Sequence, residues 1–293
     1  MSRNYVILTD STSDLNAELR SEYDIAYVAM NYVVDDKEYE ASLDWKSHSA
    51  KEFYDLMRNG TIIKTTQVPG PVFEAKFEQL AKEGMDVIYI ACSSALSGSV
   101  NTAKSAAAAV IEKYPDMKIF CVDSLISSLG QGYLAIKASQ LRKEGKTIEE
   151  VAEYIENNRL KVHQAGTVGN LEFLKRAGRV TASSAFFGNM FGIKPILISD
   201  TKGQNLAVKK VRGAKAAKTE IANDAKANVI DPENQTLFIS HADCIEDAES
   251  LRDEIMSLTK FKDCHINTIA PIVGASVGPG TIIAFYVGNE VTE

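Results

Sequence analysis

The sequence predicts an α/β protein of two domains, a Rossmann-like domain with a parallel sheet over residues 1–160 and an α+β domain with a mixed or antiparallel sheet over residues 161–293. Three observations lead to this prediction. Strand-like and helix-like segments alternate through the first part of the chain, which is typical of a parallel sheet covered by helices. Beyond residue 160, strand-like segments follow one another across short turns, which favours antiparallel pairing. The 293 residues are 45% hydrophobic and can bury the core of one or two domains.

Apolar runs and helix boundary signals define the elements of the N-terminal domain. The predicted strands are residues 5–9, 25–34, 87–91 and 118–122. Ser49 and Glu52 have the spacing of a capping box, which predicts that a helix begins there and that Gly60 ends it. Pro71 begins a second helix, and the alanine-rich segment 101–113 forms a third.

The C-terminal domain contains a predicted hairpin. Residues 195–199 and 205–211 are strand-like, and the segment 200–203 between them has the composition of a turn. Residues 266–271 and 281–287 are predicted strands on either side of a glycine-rich link. Neighbouring strands of this kind are expected to form a sheet with helices on one face.

The composition excludes several classes of protein. Because 45% of its residues are hydrophobic and 24% are charged, the chain is neither disordered nor collagen-like. The net charge of −7 disfavours nucleic acid as a partner, because phosphate contacts need a surplus of Lys and Arg. No signal peptide or membrane span is recognised, since the best apolar run, 271–288, is interrupted at 278–280. The four cysteines have neither zinc nor disulfide spacing, so we expect a cytoplasmic protein with reduced thiols and no metal.

Three short motifs match known functional patterns, and each has a simpler explanation. Residues 274–278 match G-x-S-x-G, yet the 15 residues after Gly278 contain no His for a catalytic triad. The glycines of segment 130–132 lie too far beyond a strand for a dinucleotide fingerprint and are expected to serve helix packing. The acidic segment 10–14 lacks P-loop or EF-hand spacing and is interpreted as a helix cap. Among the histidines, His241 at the end of a strand-like run is retained as a site candidate.

Hydroxyl-bearing residues are concentrated where predicted parallel strands end. Residues 10–14, 93–99 and 123–124 follow three of these strands and are rich in Ser, Thr and Asp. In open α/β sheets ligands bind at this edge, where loops converge. Helix capping accounts for about half of these residues. It explains neither the density of serine in 93–99 nor the separate polar segment 65–67.

The C-terminal domain also carries a basic segment and an aromatic segment. The basic residues between 209 and 218 are Lys209, Lys210, Arg212, Lys215 and Lys218. Such a run forms either a solvated face or a surface for an acidic partner, a phosphate or a membrane. Residues 186–193 are large, apolar and interrupted by glycine, so they form either core or the wall of an elongated apolar cavity.

Several motifs in order along nearly the whole chain resemble the DegV family of bacterial lipid-binding proteins, which includes the acyl-binding subunits of fatty acid kinase. These motifs are residues 9–14, 64–67, 93–99, 122–124, 177–180, 194–195, 211–212 and 278–280. A set of ordered motifs is more specific than any one of them. The resemblance implies that a long-chain fatty acid is bound in a tunnel between the two domains, with no cofactor and without catalysis by this chain.

The resemblance also implies roles for individual residues. Thr65 and Ser97 fall on the family's T-[ST]-Q and L-S-G motifs and would hydrogen-bond the carboxylate, while Arg179 on the G-R motif would support it. The other residues implied at the head group are Thr66, Gly98 and Ser276, and those implied along the tunnel are Ser94, Phe186, Phe187, Met190 and Phe191. Arg212 falls on an exposed Arg of the family, near the surface where a kinase or, transiently, a membrane is expected to dock.

Kinase-coupled members of the family often carry His in an H-x-G-x-G segment where this chain has Ser276. Three hypotheses therefore stay open. The preferred one is a lipid carrier that presents the bound carboxylate to a separate fatty acid kinase, which would form an acyl-phosphate. The alternatives are a lipid sensor or carrier without a kinase, and an enzyme of acyl or phosphoryl transfer through Ser97 or Asp10. The enzyme would need a base beside its nucleophile, and the sequence offers no clear one.

Overall fold

The computed structural model describes residues 4–182 and 192–292, in which helices pack around β-sheets. The strands are β1 (Tyr5–Asp10), β2 (Ile25–Val28), β3 (Asn31–Val34), β4 (Lys37–Glu40), β5 (Lys64–Thr66), β6 (Asp86–Ala91), β7 (Ile119–Asp123), β8 (Val162–Thr167), β9 (Ile193–Ser199), β10 (Asn205–Arg212), β11 (Thr236–His241), β12 (Asp263–Thr268) and β13 (Ile282–Val287). The helices are α1 (Ala17–Tyr23), α2 (Ala50–Arg58), α3 (Gly70–Lys82), α4 (Ser99–Lys113), α5 (Ser128–Lys143), α6 (Ile148–Asn158), α7 (Leu171–Ala177), α8 (Ala214–Asn228), α9 (Ile245–Leu258) and α10 (Pro271–Val277).

The predicted parallel sheet is confirmed. Its strand order is β2-β1-β6-β7, and every neighbouring pair is parallel. All residues of β6 are buried because helices cover both faces of the sheet. The capping box at Ser49 and Glu52 begins α2 as predicted. The carboxyl ends of β1, β6 and β7 consequently meet at one edge.

The predicted single strand over 25–34 is wrong, because this segment forms two strands in different sheets. β2 belongs to the parallel sheet, whereas β3 pairs antiparallel with β4 and β5. The chain leaves the parallel sheet where the backbone N–H of Met30 donates to the Ser11 side chain at 3.0 Å. This departure brings β5 to the carboxyl edge of the parallel sheet, with Thr65 opposite Tyr32.

The C-terminal part contains the predicted mixed sheet. Its order is β10-β9-β8-β13-β11-β12, in which β11 and β12 are parallel and the other neighbours are antiparallel. The predicted hairpin is also present, since the N–H of Gly203 donates to the carbonyl of Asp200 at 2.9 Å between β9 and β10. Helices α8 and α9 pack on one face, and α5 approaches the other.

The prediction that residues 266–271 form a strand followed by a glycine-rich link is wrong in detail. β12 ends at Thr268, and the helix α10 begins at Pro271. Proline suits this first helical position, since the N–H that it lacks would have no helical partner there. The G-x-S-x-G match therefore lies at the end of a helix and not on a strand-to-helix turn. Gly132, by contrast, serves packing as expected, because a Cβ there would lie 2.7 Å from the carbonyl oxygen of Ser13.

Candidate functional site

A cavity of about 160 Å³ lies between the carboxyl edge of the parallel sheet and one face of the mixed sheet. The lining residues from the N-terminal part are Thr12, Met30, Thr65, Thr66, Gln67, Cys92, Leu96, Ser97, Gly98 and Ser127. Those from the C-terminal part are Gln164, Leu174, Arg179, Asn205, Ile272, Val273, Ser276, Val277 and Ile283. All six residues assigned to the head group on sequence grounds lie on this one cavity. Their individual roles in binding stay predictions.

The cavity meets an outer groove of about 280 Å³ at three of its lining residues, Thr65, Arg179 and Ser276. No described residue hydrogen-bonds to the hydroxyl of Thr65 or Ser276. Both hydroxyls are therefore available to a ligand at the junction of cavity and groove. A polar group bound here would be reachable from the groove.

The Ser97 hydroxyl is oriented by its neighbours. Its oxygen lies 3.0 Å from the Ser99 oxygen and accepts the Ser99 N–H at 3.3 Å. The Ser99 oxygen also accepts the N–H of Val68 at 3.2 Å, and either of the two serine hydroxyls can donate to the other. When Ser99 is the donor of this pair, the proton of Ser97 is left to donate into the cavity.

The N-terminus of α4 adds backbone donors beside Ser97. Its N-cap residue is Gly98, which offers no side-chain cap, and the N–H groups of Ser99 and Asn101 donate to Ser97 Oγ and to the carbonyl of Gly98. The N–H of Val100 is then left in the first turn for another acceptor. Gly98 lies close to Gln67, because a Cβ at this position would collide with the side-chain carbonyl of Gln67 and would displace it. The amide nitrogen of Gln67 donates to Thr102 in α4 at 2.9 Å, which ties the segment after β5 to this helix.

Arg179 supplies a positive charge at the same place. Its Nε donates to the carbonyl oxygen of Leu96 at 3.1 Å, and Nη1 donates to that of Ala177. Gly178, which ends α7 in the left-handed conformation with φ of 68°, turns the chain so that Arg179 can reach the loop of Ser97. No carboxylate of the described residues pairs with this guanidinium, so its charge remains available to an anion.

The outer groove is apolar and basic. It is bordered by Ile62, Ile63, Lys64, Thr65, Phe173, Arg176, Ala177, Arg179, Ala275 and Ser276. The Arg176 guanidinium lies 5.1 Å from the centre of the Phe173 ring. Acidic side chains are missing from this border among the described residues, so the local field favours an anion.

The buried carboxylate of Asp10 holds the polar loops in place. It accepts the N–H of Thr12 at 2.9 Å, the hydroxyl of Tyr89 at 2.6 Å and the N–H of Cys92 at 3.2 Å. Thr12 and Cys92 are themselves lining residues. Asp10 therefore fixes the loops after β1 and β6 from behind the cavity wall.

The interpretation of segment 10–14 as a helix cap is wrong. The cap of α1 is Asn16, which accepts the N–H of Leu19 at 2.9 Å. Asp14 reaches instead to the C-terminal part, where it accepts the N–H of Ala270 at 2.8 Å. It also accepts the hydroxyl of Ser128 at 2.5 Å. Burial raises the pKa of Asp14 to about 7.

Comparison with known proteins decides the family. The model of a family described as uncharacterised proteins of the DegV family matches residues 4–289. The chain belongs to the DegV family. A DegV domain-containing protein of Clostridium perfringens is 36% identical over 287 residues, which cover 98% of each chain.

Solved structures of this family are similar over their whole length. A DegV family protein of Thermus thermophilus, described by its fatty acid binding, has a TM-score of 0.85 at 28% identity and covers 97% of this chain and 99% of its own. DegV of Bacillus subtilis, described as a fatty acid binding protein, has a TM-score of 0.82 at 26% identity, with coverage of 98% and 100%. These similarities confirm the predicted fold class.

The remaining predicted site residues are placed as follows. Ser94 is exposed and lies outside the cavity wall formed by the described residues, with its N–H donating to Asp123 at 3.1 Å. The predicted tunnel residues Phe186, Phe187, Met190 and Phe191 lie outside the described residues. His241 does not line the cavity. Its Nδ1 accepts the N–H of Cys244 at 3.2 Å, and burial lowers the pKa of the imidazole.

The basic segment is partly neutralised by acidic neighbours. Lys209 pairs with Glu220 at 2.7 Å and Lys218 with Asp247 at 3.0 Å. Arg212 is exposed at the end of β10. The described residues contain no group of three His, Cys, Asp or Glu side chains that could hold a metal ion. Over the same ranges, no helix has the length and apolarity to cross a membrane.

Sequence reasoning missed several lining residues. Ile272, Val273 and Val277 belong to α10, which Pro271 at its first position and Gly278 after its end could have revealed. Ser127, Gln164 and Asn205 also line the cavity. These three are single polar residues in a loop or strand, and no local pattern marks them.

Proposed function

We propose that this protein binds a long-chain fatty acid, with the carboxylate at Thr65, Ser97 and Arg179 and the acyl chain beginning in the cavity, whose volume of about 160 Å³ holds part of it. The observation that carries the proposal is the convergence of free hydroxyls, an unpaired guanidinium and the N-terminus of α4 at one cavity. The fatty acid binding reported for the relatives from T. thermophilus and B. subtilis supports it. Binding between two domains, residues 1–160 and 161–293, is part of the proposal.

The head group gains charge-assisted hydrogen bonds at this place. A carboxylate that leaves water must recover its hydrogen bonds, and hydroxyl and N–H donors near a cation supply them. Ser97 and Thr65 each provide one hydroxyl donor, and Ser276 provides a third across the junction. Thr66 and Gly98 complete the rim of the proposed carboxylate site.

The acyl chain supplies most of the binding free energy. Burying a methylene contributes about 0.8 kcal/mol, so a chain of about 15 methylenes gains about 12 kcal/mol when its full length is buried. Association costs about 4–15 kcal/mol, which the tail must offset before the head group adds affinity. The head-group residues then determine the direction of binding more than its strength.

Presentation of the carboxylate to a separate kinase is the finer part of the proposal. The proposed head-group residues border the outer groove, where a second protein could reach the carboxylate. Lys64, Arg176 and Arg179 would stabilise a phosphoryl group transferred there. Ser97 contacts the hydroxyl of Ser99 and not a base, so we assign catalysis to the partner and not to this chain.

The test is copurification and binding of fatty acid by matched variants. Denaturing extraction and mass spectrometry of the purified protein is expected to yield a long-chain fatty acid. Ser97→Ala removes a hydrogen bond to a charged group and is expected to weaken binding by roughly 10- to 100-fold. Ser276→Ala is expected to cost less, and Ser94→Ala, in the same loop but off the cavity, is the control.

Two outcomes contradict the proposal. Absence of any fatty acid from the extract, together with no binding of added fatty acid, rejects the function. A loss for Ser276→Ala that equals or exceeds the loss for Ser97→Ala rejects the head-group assignment, and so does an equal loss for Ser94→Ala. Kinase presentation is tested by adding ATP and a fatty acid kinase catalytic subunit and assaying acyl-phosphate, which is expected only when this protein is present.

A further inference from the structure

The inner wall of the cavity carries a hydroxyl with no assigned use. Ser127 is the N-cap residue of α5, and serine at this position usually accepts an N–H from the first helical turn. Here the side chain makes no such bond. It is 8% exposed, and it lines the cavity. Its donor and acceptor are both unused within the described residues.

A second unused polar group comes from the mixed sheet. Asn205 Nδ2 donates to the carbonyl oxygen of Arg179 at 3.0 Å, so Oδ1 of Asn205 must be the acceptor toward Gln164. The nitrogen Nε2 of Gln164 donates to it at 2.9 Å. This leaves Oε1 of Gln164 as an acceptor that no described residue satisfies. Gln164 is 6% exposed and lines the same cavity.

The two groups belong to neighbouring walls. Ser199 on β9 donates its hydroxyl to the carbonyl oxygen of Leu125 at 3.0 Å, which ties the loop before Ser127 to the mixed sheet. Ser199 lies opposite Asn205 in the β9 and β10 pairing, and Asn205 is the partner of Gln164. The loop of Ser127 and the amide of Gln164 are therefore held by the same strands.

The chemistry of the pair selects a particular ligand group. A plain hydrocarbon chain would cover both groups and leave them buried without partners, which is unfavourable. A hydroxyl group can donate to Oε1 of Gln164 and accept from Oγ of Ser127 at once. A carboxylate cannot donate, and an oxo group satisfies Ser127 alone.

We propose that the cavity is adapted to a long-chain fatty acid with a hydroxyl group on its chain, which Ser127 and Gln164 bind. This inference rests on the proposed function, because Thr65, Ser97 and Arg179 hold the carboxylate of the same ligand. Sites built to hydrogen-bond a hydroxyl discriminate strongly against analogues that lack it, since their polar groups are then left unpaired.

The experiment compares octadecanoic acid with a positional series of hydroxyoctadecanoic acids by calorimetric titration of the full chain stripped of lipid. One position of the hydroxyl is expected to bind about tenfold more tightly than octadecanoic acid, because two hydrogen bonds are gained. Ser127→Ala and Gln164→Leu are expected to abolish this preference while octadecanoic acid binds at least as tightly as to the wild type. Ser94→Ala keeps the preference.

The outcomes separate the inference from the function on which it rests. If octadecanoic acid binds and no hydroxy acid binds more tightly, the inference alone is overturned. Water then satisfies the hydrogen bonds of Ser127 and Gln164. A preference that persists in Ser127→Ala also overturns it. Failure of every acid to bind overturns the proposed function as well. Ser127→Ala breaks no hydrogen bond of the described residues, so it tests the inference even where Gln164→Leu does not fold.

Discussion

Asp14→Asn tests the buried contact between the loop after β1 and the start of α10. The carboxyl group is fully buried, which raises its pKa from 3.8 to about 7, although hydrogen bonds from Ser128 and Ala270 oppose this shift. Asparagine keeps an acceptor for the N–H of Ala270 and presents an NH₂ group to Ser128. It therefore imitates the protonated carboxyl group and cannot ionise.

The magnitude follows from linkage between protonation and folding. The unfolded chain releases the Asp14 proton near pH 3.8, whereas the folded chain keeps it to about pH 7. Between these values the folded state binds more protons, so the free energy of unfolding falls as the pH rises. Because the pKa of Asp14 rises from 3.8 to about 7, the wild type loses roughly 4 kcal/mol of unfolding free energy by pH 8, and the variant avoids this loss.

Urea unfolding between pH 4 and pH 8, followed by circular dichroism, measures this difference. The stability of Asp14→Asn is expected to match that of the wild type near pH 4 and to exceed it increasingly toward pH 8. Asp116→Asn, at an exposed turn, is the control and should follow the wild type throughout. Parallel curves for Asp14→Asn and the wild type would refute the assignment of a buried, proton-retaining carboxyl group.

Two further substitutions probe the cavity wall at Gly98 and the contact between α2 and the segment before α10. Gly98→Ala should displace Gln67 from Thr102, which changes stability by less than about 1 kcal/mol but weakens fatty-acid binding by roughly fivefold, as measured by thermal unfolding and titration. Unchanged binding would show that the position of Gln67 is irrelevant. Tyr54→Phe removes the donor to the carbonyl oxygen of Ile269 at 2.7 Å and should cost about 1–3 kcal/mol of unfolding free energy. A variant as stable as the wild type in urea would contradict this expectation.

Sequence reasoning located the N-terminal wall of the cavity because the rule behind it is topological. Parallel strands direct their carboxyl ends to one edge, so the loops containing Thr12 and Ser97 had to meet once the strands were recognised. The same reasoning also expected residues 123–124, which follow β7, at the ligand-binding edge. Asp123 accepts the N–H groups of Ser94 and Leu125 and shapes a loop without lining the cavity.

The C-terminal wall was less predictable because it depends on contacts distant in sequence. Gln164 and Asn205 are 41 residues apart and meet only when β8, β9 and β10 form a sheet. The segment 25–34 is apolar except for Asn31, so periodicity alone gives little reason to divide it. Its division depends on Ser11, whose side chain accepts the N–H of Met30.

The direction of a bound acyl chain follows from the charges on the two sides of the cavity. At the junction with the groove, Arg179 has no acidic partner among the described residues, and Lys64 lies beside it on the groove. On the side of Thr12 the Asp10 carboxylate is buried behind the cavity wall and accepts four neutral donors. A fatty-acid carboxylate placed there would face a like charge in a medium of low dielectric constant, with no cation to offset it. Only the outward orientation pairs the carboxylate with Arg179, and it leaves the chain to meet the polar pair of Ser127 and Gln164.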